Sequence, residues 1–260
     1  MAPITDHHNH SFKKREAGMS AGFEELDYQD TPLGELILRR RRSVQIPDLD
    51  IYEVQLGDAF LMSSLFHESE DQLAEQGLGL LTGNDLEVLV GGLGLGYTAV
   101  KALADERVCS LTVVEYMDAV IEWHQKGLVP LGKTLAGDPR CRLIQGDFFA
   151  LSQQTDKGFD SKTPGKTYDA ILLDIDHTPT HVLHQTNTRF YTRQGLGEVA
   201  AHLKPGGVFA LWSNSEPEAE FTQHLGTVFP WAQARMIVFD NPYTNKSCGN
   251  TVYLAQVDQA

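Results

Sequence analysis

Apolar positions change their period along this chain. Between Leu33 and Ser64 they alternate: "IYEVQL" sets Tyr52, Val54 and Leu56 against Glu53 and Gln55, with "ELILRR" before it and "AFLMSS" after a Gly57-Asp58 turn. Alternation places one face of a strand on a core and the other in water, so the stretch predicts a small antiparallel β unit. The next segment, "FHESEDQLAEQGLGLL", changes to helical spacing. Ser69 and Asp71 offer caps, Leu73, Leu78 and Leu81 an apolar side, and Gly83-Asn84 a stop. From there short apolar runs alternate with helical patterns. "LEVLVGG", "SLTVVE", "RCRLIQGD", "YDAILLDID" and "GGVFALWS" read as strands, separated by the helical "YTAVKALADE", "MDAVIEWHQKGL" and "TRFYTRQGLGEVAAHL". Near-continuous apolar strands between helices predict a mostly parallel sheet covered on both faces, an α/β fold. "ARMIVFD" and "GNTVYLAQ", around the turn-rich "NPYTNKSC", predict a closing antiparallel hairpin.

Residues 1–30 show neither period and predict a disordered tail. Its His7, His8 and His10 have no carboxylate placed to complete a metal site. The expected organisation is a tail over 1–30, a β unit with its linking helix over 31–82, and the domain of alternating strands and helices over 83–260.

With 42% apolar and 22% charged residues, the chain can bury a full-sized core. Its apolar runs are too short to span a bilayer and the first residues lack the apolar stretch of a signal peptide, so the expectation is a cytoplasmic protein without a membrane partner. The formal net charge of -14 disfavours a nucleic-acid partner and favours cationic small molecules. Cys109, Cys141 and Cys248 have neither disulfide nor zinc-knuckle spacing, and two of them lie in or beside strands, which predicts buried thiols. No metal is expected. Arg39 to Arg42 form a run that reads as a solvated strand edge before it reads as an anion contact.

Candidate chemistry begins at Gly92, Gly94 and Gly96, between a buried strand and a helix. Glycine lets the backbone turn sharply there and lets a ligand approach the main chain. Glu115 ends the next strand about twenty residues later, where an acid accepts hydrogen bonds from ribose hydroxyls. A dinucleotide-binding sheet shares these features, since Gly94-x-Gly96-x-x-Ala99 also fits its fingerprint. Asp147 follows the third strand, placed either to meet an adenine amino group or to cap the next turn. Asp174, Asp176 and His177 follow the fourth strand, at the carboxyl edge where open parallel sheets bind ligands. Two carboxylates two residues apart project together if the chain stays extended and apart once it turns. Such acids can hold an ammonium group, and one can take a proton from an attacking amine.

The series "LLDIDHTP", "RFYTRQGL", "HLKPGGVFALWS" resembles the spermidine synthase (polyamine aminopropyltransferase) family, and the resemblance extends over about residues 33–256. It implies a Rossmann-like class I methyltransferase fold, a seven-stranded mostly parallel sheet with a terminal antiparallel hairpin, plus the N-terminal β unit. It further implies aminopropyl transfer from decarboxylated S-adenosylmethionine to a small-molecule amine such as putrescine, releasing methylthioadenosine, and it allows a homodimer. By this resemblance Gly92, Gly94 and Gly96 line the nucleoside site, Glu115 holds the ribose, Asp147 meets the adenine, and Asp174 accepts the proton. Glu68, Asp176, His177, Tyr191 and Tyr243 fall at substrate-side positions. The chain departs from the family pattern in four places, the first being the absence of the glutamine expected in the small β unit near Leu61-Met62. Its acidic loop reads D-I-D-H-T-P in place of D-x-x-D-P, Phe66 replaces a tyrosine, and the glycine turn lacks its acid. Two alternatives follow: a methyltransferase using intact S-adenosylmethionine, with Lys101 nearest to the donor carboxylate, and a nucleoside-binding protein without catalysis.

Overall fold

The computed structural model describes residues 22–241, 243–244 and 246–259. His7, His8 and His10 lie outside them. Two sheets make up the fold. The first is a four-stranded antiparallel sheet, β1 (Phe23–Thr31), β2 (Gly34–Arg42), β3 (Asp50–Leu56) and β4 (Ala59–Ser63), in chain order. Leu36 and Leu38 of β2 and Val54 of β3 are buried on the face that the alternation predicts, while Ile51 and Glu53 are buried on the opposite face of β3, which the alternation does not predict. β1 is a correction to the expected tail. Residues 23–30 pair with β2, although none of their side chains is fully buried. β1 is an edge strand held largely by polar contacts, including Tyr28 to Glu35 (2.6 Å) and Arg40 to Glu24.

β1 also corrects the reading of the arginine run, because it covers β2 and leaves no open edge there. Arg39 and Arg41 both donate to the buried Glu53 (2.9 and 2.8 Å), and Arg42 pairs with Asp50 (2.9 Å). The run closes internal ion pairs.

Helix α1 (Glu68–Gly79) leads into the second sheet, burying Leu73, Ala74, Gly77 and Leu78 along one stripe. A Cβ on Gly77 would sit 2.8 Å from Leu172 and 3.3 Å from Ala210, so glycine allows the helix to lie close on the sheet. The strands and helices that follow alternate: β5 (Leu86–Gly91), α2 (Tyr97–Leu103), β6 (Val108–Glu115), α3 (Asp118–Lys126), α4 (Gly132–Gly137), β7 (Cys141–Gln145), α5 (Phe148–Ser152), β8 (Tyr168–Leu173), α6 (Arg193–Ala200), β9 (Leu203–Ser213), α7 (Ala219–Gly226), β10 (Trp231–Asn241) and β11 (Lys246–Gln256). The sheet order is β10-β11-β9-β8-β5-β6-β7. β5 to β9 are mutually parallel, and β11 runs antiparallel to both β9 and β10. The expected parallel sheet with its closing hairpin is therefore present, with the last strand inserted inside the pair.

One expected helix is divided: residues 185–191 form a 3-10 turn, and Thr192 then caps α6 by accepting from Gly195 N (3.3 Å). The cysteines also depart from expectation. Cys109 and Cys248 are exposed and Cys141 is half-buried, because Cys109 sits near the start of β6, outside its covered part. No helix among the described residues is long and apolar enough to cross a membrane.

Candidate active site at the glycine turn

β5 delivers the chain into the glycine turn through Val88, Leu89 and Val90, all buried. Gly92, Gly94 and Gly96 have φ of 91°, 47° and 95°, the left-handed region in which a Cβ is strained. Gly92 has a second reason to be glycine. A Cβ there would lie within the van der Waals shell of the Asp174 carbonyl oxygen and 2.9 Å from its carbon. Asp174 N in turn donates to Gly91 O (2.8 Å), so the end of β8 is bound to the turn. His124 of α3 is fully buried and its Nε2 pairs with Gly94 O (2.9 Å).

The turn forms the floor of a cavity of about 320 Å³. Gly92, Gly94, Gly96, Glu115, Asp147, Asp174 and His177 line it, so the structure brings seven of the sequence-derived candidates together. Glu115 accepts from Leu93 N (3.0 Å) and Met117 N (2.8 Å), one bond on each oxygen. Burial pushes its carboxyl up, against the pull of those N–H groups. Of the two readings of Asp147, the structure contains the cap. Its Oδ1 caps α5 by accepting from Phe149 N (2.9 Å) and Ala150 N (3.1 Å), and the residue also borders the cavity. His177 borders it as well, its ring 5.0 Å from that of His181. Burial, then His181, pushes the His177 imidazole down.

Asp174 accepts from the Thr98 hydroxyl at Oδ2 (2.9 Å), and burial pushes its carboxyl up to about 6. The same hydroxyl lies 3.5 Å from Glu70 O. Glu70 also borders the cavity, and its carboxyl is pushed up to about 7 by burial first and by the Asp174 charge next. Ser69 donates to Glu70 Oε2 (2.7 Å), and the Trp212 indole donates to Ser69 Oγ (2.8 Å). Trp212 and Trp123 form parts of the cavity wall.

Four substrate-side candidates stand elsewhere. Glu68 is exposed on a shallow surface depression with Lys101 and Met236. A helix turns about 100° per residue, so Glu68 and Glu70 face about 200° apart and only one can enter the cavity. Asp176 is buried in a polar knot, accepting from Leu183 N (2.7 Å), Asn187 Nδ2 (2.9 Å) and the Tyr191 hydroxyl (2.8 Å). β8 ends at Leu173 and the chain turns, so Asp174 and Asp176 diverge. Tyr191 belongs to that knot. Tyr243 bonds Ser43 through its hydroxyl (2.9 Å), joining the region after β10 to the loop after β2. Sequence reasoning missed Glu70, whose only signal was its half-turn offset from Glu68. Lys101 pairs with Glu75 (3.2 Å), and neither borders the cavity.

No family model matches the chain. Over 134 residues it is 28% identical to putrescine N-methyltransferase 4 of Nicotiana tabacum, a match spanning 51% of this chain and 31% of that relative. Putrescine N-methyltransferase 1 of Nicotiana attenuata gives the same identity over the same length, with 30% of that protein spanned. The chain therefore spans about a third of the length of the curated relatives it matches. Among solved structures, a spermidine synthase in complex with the transition-state analogue AdoDATO superposes with a TM-score of 0.67 at 18% identity, over 89% of this chain and 73% of that one. Spermidine synthase from Thermotoga maritima superposes with a TM-score of 0.66 at 17% identity, over 89% and 72%. The chain is thus spermidine synthase-like in fold, a Rossmann-like α/β sheet with a four-stranded N-terminal sheet, and over half its length its sequence is similar to putrescine N-methyltransferases.

Proposed function

We propose that the protein is a transferase that moves an aminopropyl group from decarboxylated S-adenosylmethionine to a small diamine of the putrescine kind. The observation that carries this reading is the charge of the cavity. Glu70, Glu115, Asp147 and Asp174 line it, and among the described residues no lysine or arginine does. Such a wall suits a donor bearing a sulfonium and an ammonium, and it offers a donor carboxylate no lysine or arginine among the described residues.

In this reading the nucleoside lies along the glycine turn, the ribose hydroxyls reach Glu115, and the adenine amino group lies near Asp147. The acceptor nitrogen must lose a proton to attack. Asp174 is the base, and a carboxyl whose pKa is pushed up to about 6 is a better proton acceptor than an ordinary carboxylate while remaining mostly ionised at neutral pH. The nitrogen forms a bond to the carbon beside sulfur, the carbon–sulfur bond breaks, methylthioadenosine leaves, and the proton passes to Asp174. Holding two cations in one negative cavity supplies the alignment. Incubation with decarboxylated S-adenosylmethionine and putrescine is expected to release methylthioadenosine, and Asp174→Asn to slow release by roughly 10²-fold or more. Absence of that product with every one of a series of diamines refutes the reading.

The sequence match to putrescine N-methyltransferases favours a second reading, methyl transfer from intact S-adenosylmethionine. Calorimetric titration with both donors separates the two, since a clear preference for the carboxylated donor selects methyl transfer.

A further inference from the structure

The charge of the cavity has two sources, and only one of them follows from the strand order. Glu115, Asp147 and Asp174 come from the carboxyl ends of strands, as the sheet requires. Glu70 comes from outside that set, on the first turn of α1. The elements around it hold it there. Ser69 donates to one of its oxygens and is itself held by Trp212, and Thr98 lies between its carbonyl and the Asp174 carboxylate. The acid pair thus has one member beside the glycine turn and one on α1, and both border the cavity. Asp176, the second acid of the strand loop, is occupied by three donors and has no part in it.

We propose that Glu70 is a specificity-determining residue that, together with Asp174, holds the ammonium group at the end of the donor's side arm. This assignment rests on the nucleoside reading of the glycine turn given above. Asp174 is bound to that turn through Gly91, so an arm extending from a nucleoside seated there reaches Asp174 and then Glu70. A primary ammonium has three N–H donors, enough to bond both carboxylates at once. A neutral arm of equal length leaves the two acids facing each other, and like charges at close range are relieved only by taking up a proton. The Glu70 carboxyl shows this pressure, pushed up by burial first and by the Asp174 charge next, whereas burial is what pushes the Asp174 carboxyl up.

The test is a comparison of three ligands by calorimetric titration at pH 8: methylthioadenosine, the thioadenosine with a propyl arm, and the thioadenosine with a 3-aminopropyl arm. The wild-type protein is expected to bind the aminopropyl compound roughly tenfold or more tightly than the propyl compound, the scale of a charge-assisted hydrogen bond. Glu70→Gln is expected to remove most of that preference and to keep the wild-type affinity for methylthioadenosine, which also reports that the variant is folded. If that variant does not fold, Ser69→Ala removes the hydroxyl that orients Glu70, and the preference is expected to shrink in it. A preference unchanged in the variant, or absent from the wild type, overturns the assignment of Glu70 and leaves the nucleoside site standing. Failure of the wild-type protein to bind any of the three overturns the nucleoside reading itself, and the assignment with it.

Discussion

Replacing Gly92 by alanine tests the glycine turn most directly, because two separate costs fall on one methyl group. The residue has φ of 91°, and a Cβ in the left-handed region costs about 1–2 kcal/mol. The same Cβ would also run into the Asp174 carbonyl, with the carbonyl carbon at 2.9 Å and Ile175 Cγ1 at 3.1 Å. These neighbours are the end of a buried strand, and separating β5 from β8 there costs about 1–3 kcal/mol, the usual scale of overpacking. Together the costs come to roughly 2–5 kcal/mol, which for a chain of this size lowers the melting temperature by roughly 5–15 °C. Ligand response is expected to disappear as well, because Asp174 and the turn move apart. The assay is thermal unfolding with and without methylthioadenosine. Gly197→Ala is the control, since Gly197 lies on an exposed helix face with nothing within 4 Å of its virtual Cβ. That change is expected to stabilise by roughly 0.5–1 kcal/mol. A Gly92→Ala protein that melts within about a degree of wild type and keeps its ligand shift refutes the reasoning.

Three further expectations are open to measurement. Glu70 and Asp174 have folded pKa values near 7 and 6, above their ordinary values, so the native protein keeps protons that the unfolded chain releases. Their contribution to stability is therefore full below about pH 4 and is lost as pH rises to about 7, and urea denaturation is expected to show a smaller change between pH 5 and pH 8 in Glu70→Gln than in wild type. Tyr191→Phe removes one of three donors to the buried Asp176, so urea denaturation is expected to report a loss of about 1–2 kcal/mol, with methylthioadenosine binding unchanged. Glu53→Ala strands the guanidinium groups of Arg39 and Arg41 in the N-terminal sheet, and a loss of about 1–3 kcal/mol is expected in the same assay.

The sequence carried the parallel sheet plainly, because strands buried on both faces are nearly continuous apolar runs and the glycines punctuate one of their ends. It carried Glu115, Asp147 and Asp174 for the same reason, since the end of a run marks the end of a strand. What it did not carry depended on rotation about an axis. Glu68 and Glu70 look equivalent as letters, and only the phase of α1 against the sheet decides which enters the cavity. Asp174 and Asp176 part because β8 ends at Leu173, a boundary that the "LLDID" pattern does not mark. β1 was illegible for another reason. "FEELDYQDT" has polar residues on both faces and buries none of its side chains fully, so there is no alternation to read.

One contact reaches across the whole fold. The Trp123 indole N–H donates to Asp27 Oδ2 (2.6 Å), joining α3 of the large domain to the edge strand of the small one. Trp123 is also cavity wall, together with Leu33, Val54, Leu61, Met62 and Ser63 from the N-terminal sheet. The cavity is therefore a seam, with a lining that exists only while the two sheets stay closed on each other. Whatever occupies it acts as an adhesive, and occupancy raises the free energy needed to peel the N-terminal sheet away in proportion to the logarithm of ligand concentration.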